Sequence, residues 1–187
     1  MRKRFLILFF AILVGVTPMA SSAADTKLDP ENTVYLDLPA GRVVIQLRPD
    51  LAPKHIARIK ELVRQGFYDG LKFHRVIPGF MAQTGDPQGD GTGGSGKNLK
   101  AEFSDAHHVR GTVSMARASS PDSADSQFFI CYADASFLNG KYTVFGDVTS
   151  GMEAVDKVKM GTQANNGHVD DPTKIVSMQM AADAKGK

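Results

Sequence analysis

Two runs near the start of the chain alternate with a period of two. Val34, Leu36 and Leu38 share one side with Tyr35 and Asp37 opposite, and Val43, Ile45 and Leu47 repeat the pattern after Pro39-Ala40-Gly41. Successive side chains of an extended strand point to opposite faces, so this alternation around a short Gly-containing turn reads as a β-hairpin. A chain that begins in this way commits its first ordered segment to an antiparallel sheet.

The next segment changes period. Ile56, Ile59, Leu62 and Val63 fall on one face behind Pro53, and Gly66 follows, which predicts an amphipathic helix over Pro53 to Gln65. Lys54, Arg58, Lys60 and Arg64 are spaced as its solvent face. Beyond the Asp69-Gly70 turn, short strand patterns recur: Phe73 to Pro87, broken at Pro78-Gly79; Gly111 to Ala118, with Val113 and Met115 on one face; and Gln127 to Tyr132. In the last of these Phe128 and Ile130 oppose Gln127, Phe129 and Cys131. Tyr142 to Val148 and Ile175 to Met180 give two more strands, and Met152 to Lys159 a second short helix. Asp86 to Lys97 and Ser119 to Ser126 read as polar loops, and Ala135 to Lys141 as a short one. Many short strands, two separated helices and no βαβ rhythm favour an antiparallel barrel or sandwich with helices at its edges.

The first 24 residues stand apart from this pattern. Arg2, Lys3 and Arg4 precede an apolar run from Phe5 to Val16, and Ser22-Ala23-Ala24 supplies small residues for cleavage, which is the plan of a secretory signal peptide. An uncleaved anchor is the rival reading, but a spanning helix needs about 20 apolar residues. The expected organisation is a signal peptide at 1–24, a flexible tail at 25–32, one domain at 33–181 and a C-terminal tail at 182–187. With this short basic start a bacterial periplasm is the expected destination. Removing the signal's three cations takes the formal charge from +2 to about −1. No basic stripe of the kind that marks nucleic-acid binding remains. One cysteine, Cys131, excludes an intrachain disulfide, so stability rests on packing.

One stretch mixes properties that a core strand or a solvated loop would keep apart. FHRVIPGFMAQTGDP, Phe73 to Pro87, sets Arg75 among Phe73, Val76, Ile77, Phe80 and Met81, then turns polar at Gln83, Thr84, Gly85 and Asp86. An apolar hollow with one or two placed polar groups suits a binding site; a buried strand whose arginine snorkels to water is the alternative. Other chemistry is poorly supported. Gly91, Gly96 and Lys97 match a phosphate-loop spacing, but Asn98 stands where Ser or Thr is needed, and no long helix follows. Ser114 and Ser126 lack a nucleophile elbow. The histidines at 55, 74, 107, 108 and 168 contain no zinc-type i, i+4 pair with a neighbouring Glu. His74 reads as a strand histidine satisfied by backbone, and Cys131 as a buried inert thiol.

FHRVIPGFMAQTGDP, SMARA, SQFFI and FLNGKYTVFG, in that order and at these intervals, resemble the cyclophilin family of peptidyl-prolyl cis-trans isomerases over about Thr33 to Met180, and SPDSADSQFFI resembles bacterial members in particular. The resemblance implies a mainly β fold, a closed eight-stranded antiparallel β-barrel capped by two α-helices. It implies Arg75 as the catalytic arginine with Gln83 beside it; Phe80, Met81, Phe129 and Leu138 as a proline pocket; and Ala116 and Arg117 flanking the peptide groove. Phe137 and Tyr142, further walls of the site, stand where many eukaryotic relatives have Trp and His, and Arg117 where many have Asn. Loss of the indole N–H donor predicts reduced affinity for cyclosporin-like macrocycles.

The implied reaction is rotation about X-Pro bonds in unfolded or partly folded exported proteins, by a monomer that needs no cofactor or metal, binds no nucleic acid and keeps no stable membrane association once the signal is removed. A proline-peptide binding module or holdase chaperone, using the same groove without turnover, is the alternative.

Overall fold

The computed structural model describes residues 28–184. The expected signal peptide and the first part of the tail lie outside these residues. Of the tail, Pro30–Asn32 form a 3-10 turn in which Asp29 accepts from the Glu31 amide. At the other end, Ala181–Asp183 form a second such turn, and Asp183 pairs with Arg64 at 2.9 Å.

Eight strands build one antiparallel sheet: β1 (Thr33–Leu38), β2 (Gly41–Leu47), β3 (Arg75–Ile77), β4 (Met81–Thr84), β5 (Thr112–Met115), β6 (Phe128–Cys131), β7 (Val144–Ser150) and β8 (Ser177–Met180). The order across the sheet is β3-β4-β6-β5-β7-β2-β1-β8. The hairpin read from the alternation is β1–β2, with Leu36 opposite Val43. Irregularities at Val44/Ile45 and Val113/Ser114, both facing β7, interrupt the ladder where the sheet bends.

The expected closed barrel is not formed: the sheet is an open half-barrel whose edges are β3 and β8. The chain ahead of each edge meets at the Lys72–Lys174 bridge, where Phe73 N donates to Thr173 O, Gly70 N to Ile175 O and Ile175 N to Leu71 O, each at 2.9 Å. Further along, the outer side of β3 is already used. Val76 N donates to Gly167 O at 2.7 Å and Gly161 N to Val76 O at 3.0 Å, so the 161–168 loop covers the edge that β8 would have needed.

Helix α1 (Pro53–Arg64) buries Ile56, Ile59, Leu62 and Val63, the face expected from the spacing, and also His55. Gly66 ends it at φ +67°, a left-handed conformation that costs glycine nothing. Its cationic face is only partly solvated. Arg58 reaches Ser95 at 2.8 Å and Lys60 reaches Asn32 at 2.7 Å. Helix α2 (Met152–Val155) is a single turn, shorter than the expected Met152 to Lys159.

All residues of β5 and β6 are buried, because both faces of these strands are covered. Val113, Met115, Phe128 and Ile130 join the main core with Phe73, Val76 and Phe145. Phe129 and Cys131 point the other way, into a smaller cluster with Met81, Ala116, Ala135 and Leu138. The period-two alternation of one strand thus feeds both a core and the floor of a second apolar site.

Candidate active site

Arg75 and Gln83 lie directly opposite on β3 and β4. Arg75 Nη1 donates to Gln83 Oε1 at 3.1 Å. A guanidinium only donates, so the Gln83 oxygen must face it and the amide nitrogen must face away. Gln83 Nε2 accordingly donates to Gln127 Oε1 at 2.9 Å, and Gln127 Nε2 to Gly93 O at 2.7 Å and Gly91 O at 3.1 Å. The relay runs one way, from the arginine to the Gly-rich loop.

On its other side Arg75 donates from Nε to Asn166 O at 3.1 Å and from Nη2 to Asn166 Oδ1 at 2.9 Å. Three of the five guanidinium N–H groups are used, and two remain for a ligand. No carboxylate forms an ion pair with Arg75 among the described residues. Burial lowers its pKa, yet an arginine keeps its proton at any ordinary pH. The result is a fixed, uncompensated cation held in a plane.

That cation borders a cavity of about 540 Å³. All ten residues expected at the site line it: Arg75, Phe80, Met81, Gln83, Ala116, Arg117, Phe129, Phe137, Leu138 and Tyr142. Met81, Phe129 and Leu138 form the buried floor, 1%, 4% and 7% exposed, while Phe137 stands at the rim with 61% exposed. Phe80 and Phe137 pack with ring centroids 5.3 Å apart, and Tyr142 meets Phe129 edge-on at 6.0 Å. The Arg117 guanidinium lies 4.6 Å over the Tyr142 ring and also donates to Lys141 O at 3.3 and 3.2 Å, which ties the two sides of the rim together.

Several residues of the site carried no signal in the chain. Asn166, in left-handed conformation at φ +55°, sits in an Asn-Asn-Gly turn that announces itself only as a turn. Gln127 gave no sign of its link to Gln83. His74 lines the cavity too. It was expected to be satisfied by backbone, and a backbone hydrogen bond at Lys72 contributes to its electrostatics. Burial lowers its pKa, against an opposing pull from Asp86.

The Gly-rich loop is pinned rather than open. The Asp86 carboxylate, 1% exposed, accepts from Gln88 N at 2.8 Å, Asp90 N at 3.1 Å and Gly91 N at 2.6 Å. Burial would raise its pKa, and the surrounding amides outweigh that and hold it below the usual range. Gly96 N and Lys97 N donate to Asp125 Oδ2 at 2.8 and 3.2 Å. The amides that a phosphate loop would offer are therefore occupied by the chain's own carboxylates. Ser114 and Ser126 are fully buried, so neither can serve as an exposed nucleophile. Burial pushes the Cys131 thiol up to about 12, which leaves it neutral.

Residues 33–180 match the family described as cyclophilin type peptidyl-prolyl cis-trans isomerase/CLD. The chain belongs to the cyclophilin family of peptidyl-prolyl cis-trans isomerases. It is 55% identical over 189 residues to a probable peptidyl-prolyl cis-trans isomerase of Brucella suis, covering 95% of this chain and 94% of the relative. It is 46% identical over 122 residues to peptidyl-prolyl cis-trans isomerase B of Bacillus subtilis, covering 64% and 85%. Among solved structures, a cyclophilin from Hirschia baltica superposes with TM-score 0.75 at 28% identity, covering 84% of this chain and 77% of that one. A Cryptosporidium parvum cyclophilin-type isomerase crystallised in the presence of the dipeptide Ala-Pro gives TM-score 0.72 at 30% identity, covering 79% and 98%. This cyclophilin is thus an enzyme of the rotamase class.

Proposed function

We propose that this cyclophilin accelerates X-Pro bond rotation in exported proteins, with Arg75 as the catalytic group and the Phe80, Met81, Phe129 and Leu138 surface as the proline pocket. The observation that carries the reading is the placement of an uncompensated guanidinium beside the apolar floor of that cavity.

A peptide bond is planar because the nitrogen lone pair is delocalised, and the rotation barrier is about 18–20 kcal/mol. Uncatalysed X-Pro exchange takes tens to hundreds of seconds, slow enough to limit folding. In the twisted amide the lone pair localises on nitrogen, which becomes pyramidal and more basic. Arg75 donates one of its two remaining N–H groups to that nitrogen. The interaction is stronger in the twisted state than in either planar isomer, which is the condition for accelerating the step rather than merely binding the peptide. The bonds to Gln83 and Asn166 hold the guanidinium plane before substrate arrives. Gln83 acts through Arg75, whose guanidinium it orients, and the pocket grips the ring while the acyl half turns. Each tenfold in rate requires about 1.4 kcal/mol, so a few such interactions suffice.

The substrates are unfolded or partly folded proteins carrying X-Pro bonds, and Ala116, Arg117, Phe137 and Tyr142 flank the groove that receives the chain on either side of the proline. The basic and apolar opening of the sequence supports export, with the periplasm as the destination of a monomer. Cyclosporin-like macrocycles bind weakly, since Phe137 offers no N–H. A protease-free isomerisation assay on the mature chain, over a panel of X-Pro peptides, tests this function. Catalysed exchange supports it; peptide binding without exchange, together with suppression of client aggregation, identifies a holdase instead. N-terminal sequencing of the protein from cell fractions tests export: a start near Asp25 in the periplasmic fraction supports it, and an intact Met1 in the cytosol contradicts it.

A further inference from the structure

We propose that His108 is a positioning residue for the proline pocket, holding both ends of the loop that carries Phe137 and Leu138. The inference rests on the reading of that cavity as the isomerase site.

His108 is fully buried behind the pocket. Its carbonyl accepts from Ala135 N at 2.8 Å, at the start of the loop. Its backbone N donates to Asn139 Oδ1 at 2.9 Å, at the loop's end, and ring Nδ1 lies 3.1 Å from the same oxygen. Between these two attachments run Ser136–Leu138, a single 3-10 turn that sends Phe137 to the rim and Leu138 to the floor. The imidazole also lies nearly parallel to Phe129, with an interplanar angle of 18° and centroids 6.1 Å apart. One residue therefore holds both ends of the loop that forms one wall of the pocket and backs Phe129 in another, while not itself lining the cavity.

The hydrogen bonds fix the tautomer. A backbone N–H can only donate, so Asn139 must present its oxygen, and Nδ1 must then carry a proton. In the neutral ring Nε2 is left as an acceptor, 3.0 Å from Ser114 Oγ. Ser114 Oγ also donates to Thr143 O at 3.0 Å, a carbonyl with two lone pairs that accepts from Met115 N at 2.9 Å as well, so the hydroxyl's one proton is shared between that carbonyl and His108 Nε2. The order Ser114–His108–Asn139 resembles a nucleophile relay, but Ser114 is fully buried. Its role is to hold the ring, not to attack a substrate.

Asn139 is half-buried and is the safer place to test this, because His108 variants can fail to fold. Asn139→Ala removes both acceptor bonds at the loop's end. We expect KM for an X-Pro peptide to rise about tenfold with kcat within about twofold, since the pocket wall loosens while Arg75 is untouched. Amide hydrogen exchange should quicken at Leu138 and Lys141 and stay unchanged in β1 and β2. Asn139→Asp keeps an acceptor in place and should return KM to within about twofold of wild type. An unchanged KM in Asn139→Ala, a loss confined to kcat, or no rescue by Asp would overturn the proposal. If the wild-type protein turned over no peptide at all, the functional reading would fail first. Exchange at Leu138 would then decide the loop-holding role: local quickening in Asn139→Ala sustains it, and unchanged exchange removes it.

Discussion

Arg75 Nη1 donates to Gln83 Oε1 at 3.1 Å between directly opposed residues of β3 and β4, so the orientation of the proposed catalytic cation is set by a register pair of the sheet. Removing the glutamine should cost rate without unfolding the chain. Gln83→Ala is expected to lower kcat/KM about tenfold, the worth of one charge-assisted hydrogen bond. Gln83→Glu should cost more, because a carboxylate would pair with the guanidinium and compete with substrate for it. Steady-state isomerisation of a single Ala-Pro peptide by both variants checks the order.

Phe137 stands 61% exposed at the rim, 5.3 Å from Phe80. Phe137→Trp adds the indole donor that the site lacks, and the exposed position can take the larger ring with little strain. Cyclosporin affinity is expected to rise about tenfold, the value of one new hydrogen bond in a desolvated contact, with stability changed by less than about 0.5 kcal/mol. Titration calorimetry and thermal unfolding read the two quantities separately.

Helix α1 has no capping side chain of its own, since its N-cap is Ala52. Glu102, from a loop 47 residues beyond His55, supplies the cap: it accepts from Lys54 N at 3.1 Å, from His55 N at 3.0 Å and from His55 Nδ1 at 2.7 Å. Glu102→Ala should lower stability by about 1–3 kcal/mol, and Glu102→Gln by less, because an amide oxygen still accepts. Neither residue borders the cavity, so turnover per folded molecule should be unchanged. Urea unfolding paired with the isomerase assay distinguishes the two effects.

Two buried histidines make stability depend on pH. Burial holds His74 and His108 below the ordinary histidine range, against the pull of Asp86 on the first and of the Asn139 hydrogen bond on the second. The unfolded chain therefore binds protons that the folded chain refuses. Their contribution is fully present above the ordinary value of about 6.5 and is lost as pH falls through that value toward the lower folded one, with a slope of up to about 1.4 kcal/mol per pH unit for each group. Urea midpoints should be lower at pH 5.5 than at pH 7.5, and His74→Leu should flatten the difference. An equal slope in that variant would remove His74 from the account.

What could be read from the chain was what local pattern determines. The alternation Phe128/Ile130 against Phe129/Cys131 separated core from pocket floor because both faces of β6 are apolar for different reasons. The spacing of Ile56, Ile59, Leu62 and Val63 gave the buried side of α1. The pocket residues came from four motifs whose order resembles a known family; no local rule would have brought Phe80 next to Phe137. The failures are tertiary. Barrel closure depended on which partner claimed the outer edge of β3, and the 161–168 loop took it through Gly167 and Gly161. Asn166, Gln127 and Glu102 act across long separations in sequence, and each is an ordinary polar residue in its own neighbourhood. Asp86 marked a loop, but its amide cage exists only once the glycines fold around it.

The central claim is that Arg75 acts on the twisted amide rather than on the bound ground state, and comparing turnover with binding in one variant tests it most directly. For Arg75→Ala, kcat measured by exchange spectroscopy on a proline peptide should fall about 10²- to 10³-fold, while the peptide Kd stays within about threefold of wild type. Arg75→Lys should recover little, since a point charge cannot make the same planar contacts with Gln83, Asn166 and the substrate. A Kd that weakens in proportion with an unchanged kcat, or turnover that survives the loss of the guanidinium, would contradict the account.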